Sequence, residues 1–515
     1  MPERVTGPHR SEKSAEVVVA IGFGDGGPPA SRRTEQRGER LIVRRGKVRH
    51  QKSSDGQSDG QLELPLEGWG EAPGAERSGE TGRAVNGTRR SGPAGLPSKL
   101  MEQAVTRENA VEALKRVRRN KGSPGIDEMS VQELVQHLER HWPAIREQLL
   151  AGTYQPSVVK RHLIRKSGGG MRMLGIPTVL DRFIQQLLLR VLQPMFDPTF
   201  SEHSYGFRPA RRAHDAVCEA QRYIQAGRRW VVDVDLEKFF DRVNHDVLMG
   251  KLHNRIGDRR MLAIIRRYLS AGMMADGVVI ERQEGTPQGG PLSPLLANVL
   301  LDDVDQVLER RGHTFVRYAD DCNVYVRSKR AGERVLADLR SMYTKLRLRI
   351  NEEKSAVAKA WHRKFLGYRF WVARGSMVRR RMAPEALAEM KHRVRQITGR
   401  SGGRSLGQVT KELGSYLRGW KAYFKLADTP RVFRDLDGWI HRRLRALQLK
   451  QWKRGSTTLR ALQARGLPDW LTRRGAGHAR RWWWAAGLGA MHTALPGDYF
   501  ERLGVPRLGA GTSTH

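Results

Sequence analysis

Phe315-Val316-Arg317-Tyr318-Ala319-Asp320-Asp321-Cys322-Asn323-Val324-Tyr325-Val326 sets two acids side by side between runs of β-branched and aromatic residues. Those runs favour strand, and Asp-Asp-Cys-Asn is where a turn falls, so the segment reads as a short β-hairpin with both carboxylates at its turn. Adjacent anions repel. Two of them in a bend make sense where hard divalent cations such as Mg²⁺ supply the compensating charge. Taken alone, the pair also fits a solvated turn.

A second acidic strand lies about 85 residues upstream, Trp230-Val231-Val232-Asp233-Val234-Asp235-Leu236-Glu237-Lys238-Phe239-Phe240-Asp241. Val232, Val234 and Leu236 fall on one face and Asp233 and Asp235 on the other, so Asp235 closes a half-buried strand with its carboxylate displayed. Two acid-tipped strands can pair. A polymerase palm needs this arrangement: one carboxylate from the first strand and one or two from the hairpin clamp two Mg²⁺ ions roughly 3.5 to 4 Å apart. One ion lowers the pKa of a primer 3′-hydroxyl, and the other neutralises the triphosphate and the leaving pyrophosphate.

Further blocks flank these strands. They are Asn120-Lys121-Gly122-Ser123-Pro124-Gly125-Ile126-Asp127, Gly175-Ile176-Pro177-Thr178-Val179-Leu180-Asp181-Arg182, Ser204-Tyr205-Gly206-Phe207-Arg208-Pro209, Gly285-Thr286-Pro287-Gln288-Gly289-Gly290-Pro291-Leu292-Ser293-Pro294 and Phe365-Leu366-Gly367-Tyr368. In this order, over about 250 residues, the chain resembles the reverse transcriptases encoded by bacterial group II introns, far beyond what a single motif licenses. The resemblance implies an α+β right-hand polymerase, with fingers and palm followed by an all-α thumb or maturase domain.

The resemblance also implies roles. Asp235, which opens the Asp-x-x-x-Phe-Phe pattern, matches the first catalytic metal ligand, and Asp320 and Asp321 match the metal-binding box; Leu236 is counted with the metal-binding residues. Phe240 falls where such enzymes place the aromatic that closes against the sugar 2′ position and excludes ribonucleotides, although an ordinary core aromatic is the plain alternative. Asp233 and Asp241 read as structural acids held by nearby cations, and Glu237 has no assigned role. Gln288 matches the residue beside the incoming nucleotide.

Gly285 to Pro294 has a reading of its own. Three glycines and three prolines fix a tight loop, Ser293 can cap a helix and Pro294 suits its first position. Leu295, Leu296, Val299, Leu300, Val304 and Leu308 then recur at helical spacing. In the fingers, Lys160, Arg161, Arg165, Lys166 and Arg172 surround a glycine turn, Ser167-Gly168-Gly169-Gly170, which suits a hairpin tip. Arg172 matches the family's triphosphate-contacting arginine; its partner is either Arg165 or Lys166. The family's two prolines beside this turn are replaced here by Arg165 and Met173.

Lys plus Arg number 92 against 54 Asp plus Glu, a formal net charge of +38, which suits a polyanionic partner but equally a ribosomal or chromatin protein. Two cysteines, Cys218 and Cys322, exclude a disulfide framework and a thiolate zinc module. With no cysteine after Cys322, the expected form lacks the C-terminal DNA endonuclease domain, so its intron would prime from DNA ends already present. No apolar run approaches the ~20 residues of a membrane span and no signal peptide is visible, which predicts a cytoplasmic protein without membrane contact, nucleoid-associated when acting on DNA.

Residues 1–98 are rich in Gly, Ser, Arg and Glu and read as disordered, or as translated intron sequence with little selected structure. Gly22-Phe23-Gly24-Asp25-Gly26-Gly27 mimics a dinucleotide fingerprint, but Pro28-Pro29 stops the helix it needs. Residues 99–150 form a helical fingers extension, with Ala110, Val111, Leu114 and Val117 on one face and Lys115, Arg116, Arg118 and Arg119 on the other. Fingers and palm occupy 151–371, the thumb 385–495 and a tail 496–515. In the thumb Leu413, Tyr416, Leu417, Trp420, Tyr423 and Phe424 form a packing stripe with Arg418, Lys421 and Lys425 turned away. Arg418-Gly419-Trp420 followed by Tyr423-Phe424 resembles the maturase-specific domain, whose basic face, like Arg116, Arg118 and Arg119, would hold RNA. Of Trp482, Trp483 and Trp484, spaced about 100° apart on a helix, at least one belongs in the core.

The expected function is RNA-directed DNA synthesis from dNTPs with two Mg²⁺ ions, coupled to binding of the intron RNA so that it splices and moves. The partners are that RNA, an RNA template with a DNA primer, and target DNA. Two alternatives stay open: a splicing cofactor with a vestigial polymerase, or a free-standing reverse transcriptase in defence or repair. Retention of Asp235, Asp320 and Asp321 speaks against the first, and the thumb motif against the second.

Overall fold

The structure, a computed structural model, describes residues 96–165, 171–275, 278–280 and 284–509. The expected disorder and the fingerprint mimic of the N-terminal segment, Lys166 and the glycine turn after it lie outside the described residues.

The described residues begin with three helices, α1 (Leu100–Ala104), α2 (Arg107–Asn120) and α3 (Glu133–Ala151). The Thr106 side chain accepts from Asn109 N and starts α2, whose Ala110, Ala113, Leu114 and Val117 are buried while Lys115, Arg116, Arg118 and Arg119 are exposed. Next come β1 (Val159–Arg165), β2 (Met171–Ile176), α4 (Val179–Phe196), α5 (Ala213–Gln225), β3 (Trp230–Val234), α6 (His245–His253), α7 (Arg259–Ser270), β4 (Met273–Ala275) and β5 (Val278–Ile280). β1 pairs antiparallel with β2 and parallel with β4, giving a fingers sheet of order β2-β1-β4-β5.

The palm follows as α8 (Ser293–Arg310), β6 (Thr314–Tyr318), β7 (Asp321–Val326), α9 (Lys329–Lys345) and β8 (Ala356–Lys359). Its sheet has the order β6-β7-β3-β8, all pairs antiparallel, so the two acid-tipped strands are neighbours. Alternation splits this sheet between two cores. Val232, Val234, Leu236, Cys322 and Val324 are buried with residues of α4, α8 and α9. Val231, Val316 and Tyr325 are buried with residues of α5 and of the C-terminal helices. Both faces are therefore covered, and the acids lie where β3 and the hairpin end.

A small sheet joins palm to thumb: β9 (Lys364–Phe365), β10 (Tyr368–Val372) and β11 (Val378–Met382). Leu366 and Gly367 link β9 to β10 with φ of 49° and 76°, the double left-handed turn that suits a tight hairpin. The thumb comprises α10 (Pro384–Ile397), α11 (Leu406–Tyr423), α12 (Pro430–Trp452) and the shorter helices α13 (Gly455–Gln463), α14 (Asp469–Gly477), α15 (Trp482–Ala485), α16 (Gly489–Ala494) and α17 (Gly497–Arg502). The stripe on α11 is a core stripe, with Leu413, Leu417, Trp420 and Phe424 buried. It also fastens thumb to palm: the Tyr423 hydroxyl donates to Leu366 O at 2.8 Å, and the Phe424 and Tyr368 rings sit 5.3 Å apart.

The segment read as a tail is built into the thumb as far as the description runs. Phe500, Val505 and Leu508 are buried, and the Asp437 carboxylate accepts from Leu508 N and Gly509 N. Apolar residues spaced through that segment supply the driving force. Trp482 packs against the core while Trp483 and Trp484 stay 40% and 49% exposed, as their angular spacing demands. No helix among the described residues is long and apolar enough to cross a membrane.

Candidate active site

The hairpin turns earlier than its composition suggested. β6 ends at Tyr318 and β7 begins at Asp321, leaving only Ala319 and Asp320 as the loop. Asp321, Cys322 and Asn323, expected in the turn, are buried strand residues. A two-residue loop needs left-handed backbone, and Ala319 supplies it with φ 57°. For a residue bearing a Cβ this costs about 1–2 kcal/mol.

Val234 with Cys322 is the last pair of the β3–β7 ladder, so Asp235 and Asp321 each lie one residue beyond it, at the same end of the two strands. The backbone of Asp235 is pinned on its other edge: its N donates to Ser355 Oγ at 3.0 Å and its O accepts from Asn351 N at 2.8 Å. Lys354 Nζ lies 3.9 Å from Asp235 Oδ2 and offsets part of the charge. Asp233, one pleat back on the same face, is buried and ion-paired to Arg363 at 2.6 Å, the cation expected for a structural acid. Asp241 is exposed in the short turn Phe239–Asp241.

Among the described residues no three His, Cys, Asp or Glu side chains are gathered as a protein-only metal cage requires. The candidate donors are Asp235, just past the end of β3, Asp321 at the start of β7, and half-buried Asp320 on the turn. That set fits a hard divalent cation, which keeps waters and takes further oxygens from a substrate phosphate. The Leu236 side chain is buried in the first core, so its only possible donor to a metal is its backbone oxygen.

Behind the turn lies a polar bracket that the sequence reading missed. Arg317 is fully buried; its Nε and Nη2 donate to Asp305 on α8 at 2.6 to 2.9 Å, and its Nη1 donates to Asn298 Oδ1 and to Ala319 O, both at 2.9 Å. Burial pushes the Asp305 carboxyl up; burial also opposes the Arg317 charge, but the Asp305 carboxylate outweighs it and holds the guanidinium protonated. Asn298 Nδ2 donates to Gly206 O at 3.0 Å. Gly206 in turn abuts the turn itself: a Cβ there would sit 2.1 Å from Ala319 N. The available signal was an arginine inside an otherwise apolar strand, which needs a buried acid to face it.

The glycine-rich loop crosses in front of β3. Thr286 N donates to Phe240 O at 2.7 Å and Gly175 N donates to Gln288 O at 2.9 Å, so the loop ties the Phe239-Phe240 turn to the fingers strand β2. Gly289, with φ 137°, runs so close to Gly175 O that a Cβ would sit 2.4 Å away. Phe240 and Gln288 are both half-buried. The helix starts one residue sooner than expected. Ser293 is its first residue, and its hydroxyl donates to Pro287 O at 2.9 Å instead of capping.

In the fingers, backbone register sets Arg172 level with Ile164, and Arg165 level with Met171. On the thumb, Arg418 and Lys421 do point away from the stripe, but Arg418 Nη1 donates to Gly504 O and Lys421 Nζ to Arg507 O, which ties down the end of the domain. Lys425 is exposed, as are Arg116, Arg118 and Arg119.

Residues 164–370 match the family described as "Reverse transcriptase (RNA-dependent DNA polymerase)", and residues 387–466 match "Group II intron, maturase-specific domain". Protein YkfC of Escherichia coli (strain K12) is 35% identical over 219 residues, covering 41% of this chain and 58% of that protein. Group II intron-encoded protein LtrA of Lactococcus lactis subsp. cremoris is 36% identical over 183 residues, covering 35% of this chain and 28% of that protein. The chain thus spans little more than half of the first relative and under a third of the second. Among solved structures, a chain of a partial Cas6-RT-Cas1–Cas2 complex aligns over 48% of this chain and 42% of its own length, at 26% identity with a TM-score of 0.31. With a reverse transcriptase match over residues 164–370 followed by a maturase-specific match over residues 387–466, the chain belongs to the group II intron reverse transcriptase and maturase family.

Proposed function

We propose that this protein is an RNA-directed DNA polymerase of a group II intron, which copies RNA into DNA and binds the intron RNA to assist its splicing and mobility. The observation that carries the reading is the β3–β7 ladder, whose last pair, Val234 with Cys322, leaves Asp235 and Asp321 at the same end of the palm sheet, with Asp320 on the adjoining turn. Two Mg²⁺ ions at this set would activate a primer 3′-hydroxyl and neutralise the triphosphate and leaving pyrophosphate.

The chain's own residues supply the remaining parts. Asp321 opens strand β7 and Asp235 directly follows β3, its backbone tied to Ser355 and Asn351, so the reacting centre rests on the rigid end of the sheet, which favours precise placement. Phe240, anchored through its carbonyl to Thr286, lies under the position of the sugar and selects against a 2′-hydroxyl. Gln288 borders the nucleotide, and Arg172 with Arg165 or Lys166 grips its phosphates. Arg116, Arg118, Arg119 and Lys425 face RNA, with Arg418 and Lys421, which also hold backbone carbonyls of the thumb, adding positive charge beside them. The net charge of +38 draws in the intron RNA, the RNA template with its DNA primer, and target DNA. The work takes place in the cytoplasm, at the nucleoid when the substrate is DNA.

Primer extension on an RNA template with dNTPs and Mg²⁺ tests this. Wild type should extend, and Asp235→Ala and Asp320→Ala/Asp321→Ala should fall to background while still promoting splicing of the intron RNA. A folded wild type that binds RNA but extends no primer across a range of salt and Mg²⁺ would overturn the polymerase reading. Parallel loss of extension and splicing in a folded Asp235→Ala would overturn the separation of the two activities.

A further inference from the structure

We infer that Arg317 is a positioning residue for the metal-binding turn, acting through the Ala319 carbonyl and held in place by Asp305 and Asn298. The inference rests on the carboxylate reading above and adds to it a group that touches neither metal nor substrate.

The turn that carries Asp320 and leads into Asp321 contains Ala319 at φ 57°, a conformation that a residue with a Cβ adopts only when its surroundings impose it. Three contacts impose it. Arg317 Nη1 donates to the Ala319 carbonyl at 2.9 Å, which orients the peptide joining Ala319 to Asp320. Gly206 blocks the turn from behind, with no room for even a Cβ against Ala319 N. The backbone of Arg317 is itself clamped, because its N donates to His203 O and its O accepts from Tyr205 N, both at 2.9 Å.

The guanidinium is oriented by partners that have no other evident task at this site. Asp305 and Arg317 are both 0% exposed, so their charges are shielded from water and fixed by hydrogen bonds on both sides. Asn298 accepts from Arg317 Nη1 and donates to Gly206 O, so one amide links the bracket to the blocking glycine. An ammonium in place of the guanidinium is a point charge without the planar fork. It can keep Asp305 or reach the turn, but not hold both in this geometry. Outer-shell partners of this kind typically change metal affinity or activity by about 10- to 100-fold when removed.

The test is Mn²⁺ binding to the full chain without nucleic acid, followed by electron paramagnetic resonance, beside melting temperature and RNA affinity. Arg317→Lys is expected to weaken Mn²⁺ binding by about 10- to 100-fold while RNA affinity stays at the wild-type value. Ala319→Gly, which removes the cost of the left-handed turn, should restore much of that loss when combined with Arg317→Lys. A purely structural role would lower the melting temperature and leave Mn²⁺ binding by the folded protein within about twofold of wild type; that result overturns the inference. If Arg317→Lys does not fold, Asn298→Ala, which leaves the ion pair intact, should weaken Mn²⁺ binding in the same direction, and unchanged binding there overturns it too. If wild type binds no Mn²⁺ that Asp235→Ala removes, the carboxylate reading itself falls and this inference falls with it.

Discussion

Gly206→Ala should damage catalysis more than its single methyl group suggests. The backbone at Gly206 is not left-handed, so alanine meets no conformational penalty there, and the whole effect is one of space. A Cβ would lie 2.1 Å from Ala319 N, 2.9 Å from Tyr318 C and 3.0 Å from Ala319 Cα. All three obstacles are backbone, so no side chain can swing aside. Relief requires the turn to retreat by roughly 1 Å, and overpacking of this kind costs about 1–3 kcal/mol in stability. The turn carries Asp320 and starts the strand of Asp321, and a displacement of about 1 Å in a catalytic constellation costs on the order of 100-fold in rate. The assay is steady-state dNTP incorporation on an RNA template, with melting temperature recorded on the same preparation. Gly250→Ala is the control: it sits on α6, nothing lies within 4 Å of its added Cβ, and it should be neutral or stabilising by up to about 1 kcal/mol. Gly206→Ala polymerising within about threefold of wild type at an unchanged melting temperature would refute the claim that this glycine sets the position of the turn.

Arg363→Ala should remove the ion-pair partner of buried Asp233, at a cost of up to about 3–5 kcal/mol; adding Asp233→Asn should recover a large part, and a double mutant melting no higher than the single would refute the pairing. Asp302 on α8 offers a pH test. Burial first, and the neighbouring Asp305 charge second, push its carboxyl up to about 6 from 3.8. The folded state therefore holds this proton more tightly than the unfolded chain, so the stabilisation is complete below pH 3.8 and is lost as pH rises through about 6. Asp302→Asn should raise stability by on the order of 1 kcal/mol at pH 7.5, a figure discounted for the group's partial exposure, and by much less at pH 4.5. An equal change in melting temperature at both pH values would show that the carboxyl does not titrate in this way.

Much of the site was legible in order and type before any coordinates. The alternation of Val232 and Val234 against Asp233 is a property of a strand of period two, and the structure keeps it, but β3 ends at Val234 and is buried on both faces, so Asp235 lies just past the strand rather than closing a half-buried one. The helix from Leu295 to Leu308 and the stripe from Leu413 to Phe424 were equally readable, because one apolar face must be buried wherever the helix docks. The errors fell where local chemistry lost to long-range pairing. Asp-Asp-Cys-Asn has the composition of a turn, yet Asp321 to Asn323 are strand, because pairing with β3 continues to the Val234 step and Arg317 holds Ala319 in the tighter loop. Arg418 and Lys421 looked like an open basic face, but the chain beyond Gly497 folds back and uses them to tie down its own carbonyls. The tail could not be distinguished from a solvated end by composition, since Phe500, Val505 and Leu508 gain their driving force only against α12 and its neighbours.

The sequence by itself determined which residues could do the chemistry: three carboxylates on segments of strand character, a charge suited to polyanions, and blocks in the order of a reverse transcriptase followed by a maturase thumb. Only the tertiary structure decided that Asp235 and Asp321 share one end of the sheet, that Gly206 has no room for a Cβ, and that Arg317, held by a buried ion pair, reaches the turn. Periodicity and composition depend on neighbours a few residues apart, so one chain suffices to read them. Buried charge pairing, register and close approach depend on segments that lie 12, 88 and 113 residues apart, such as Arg317 with Asp305, Val234 with Cys322 and Gly206 with Ala319, and they exist only once those segments have met.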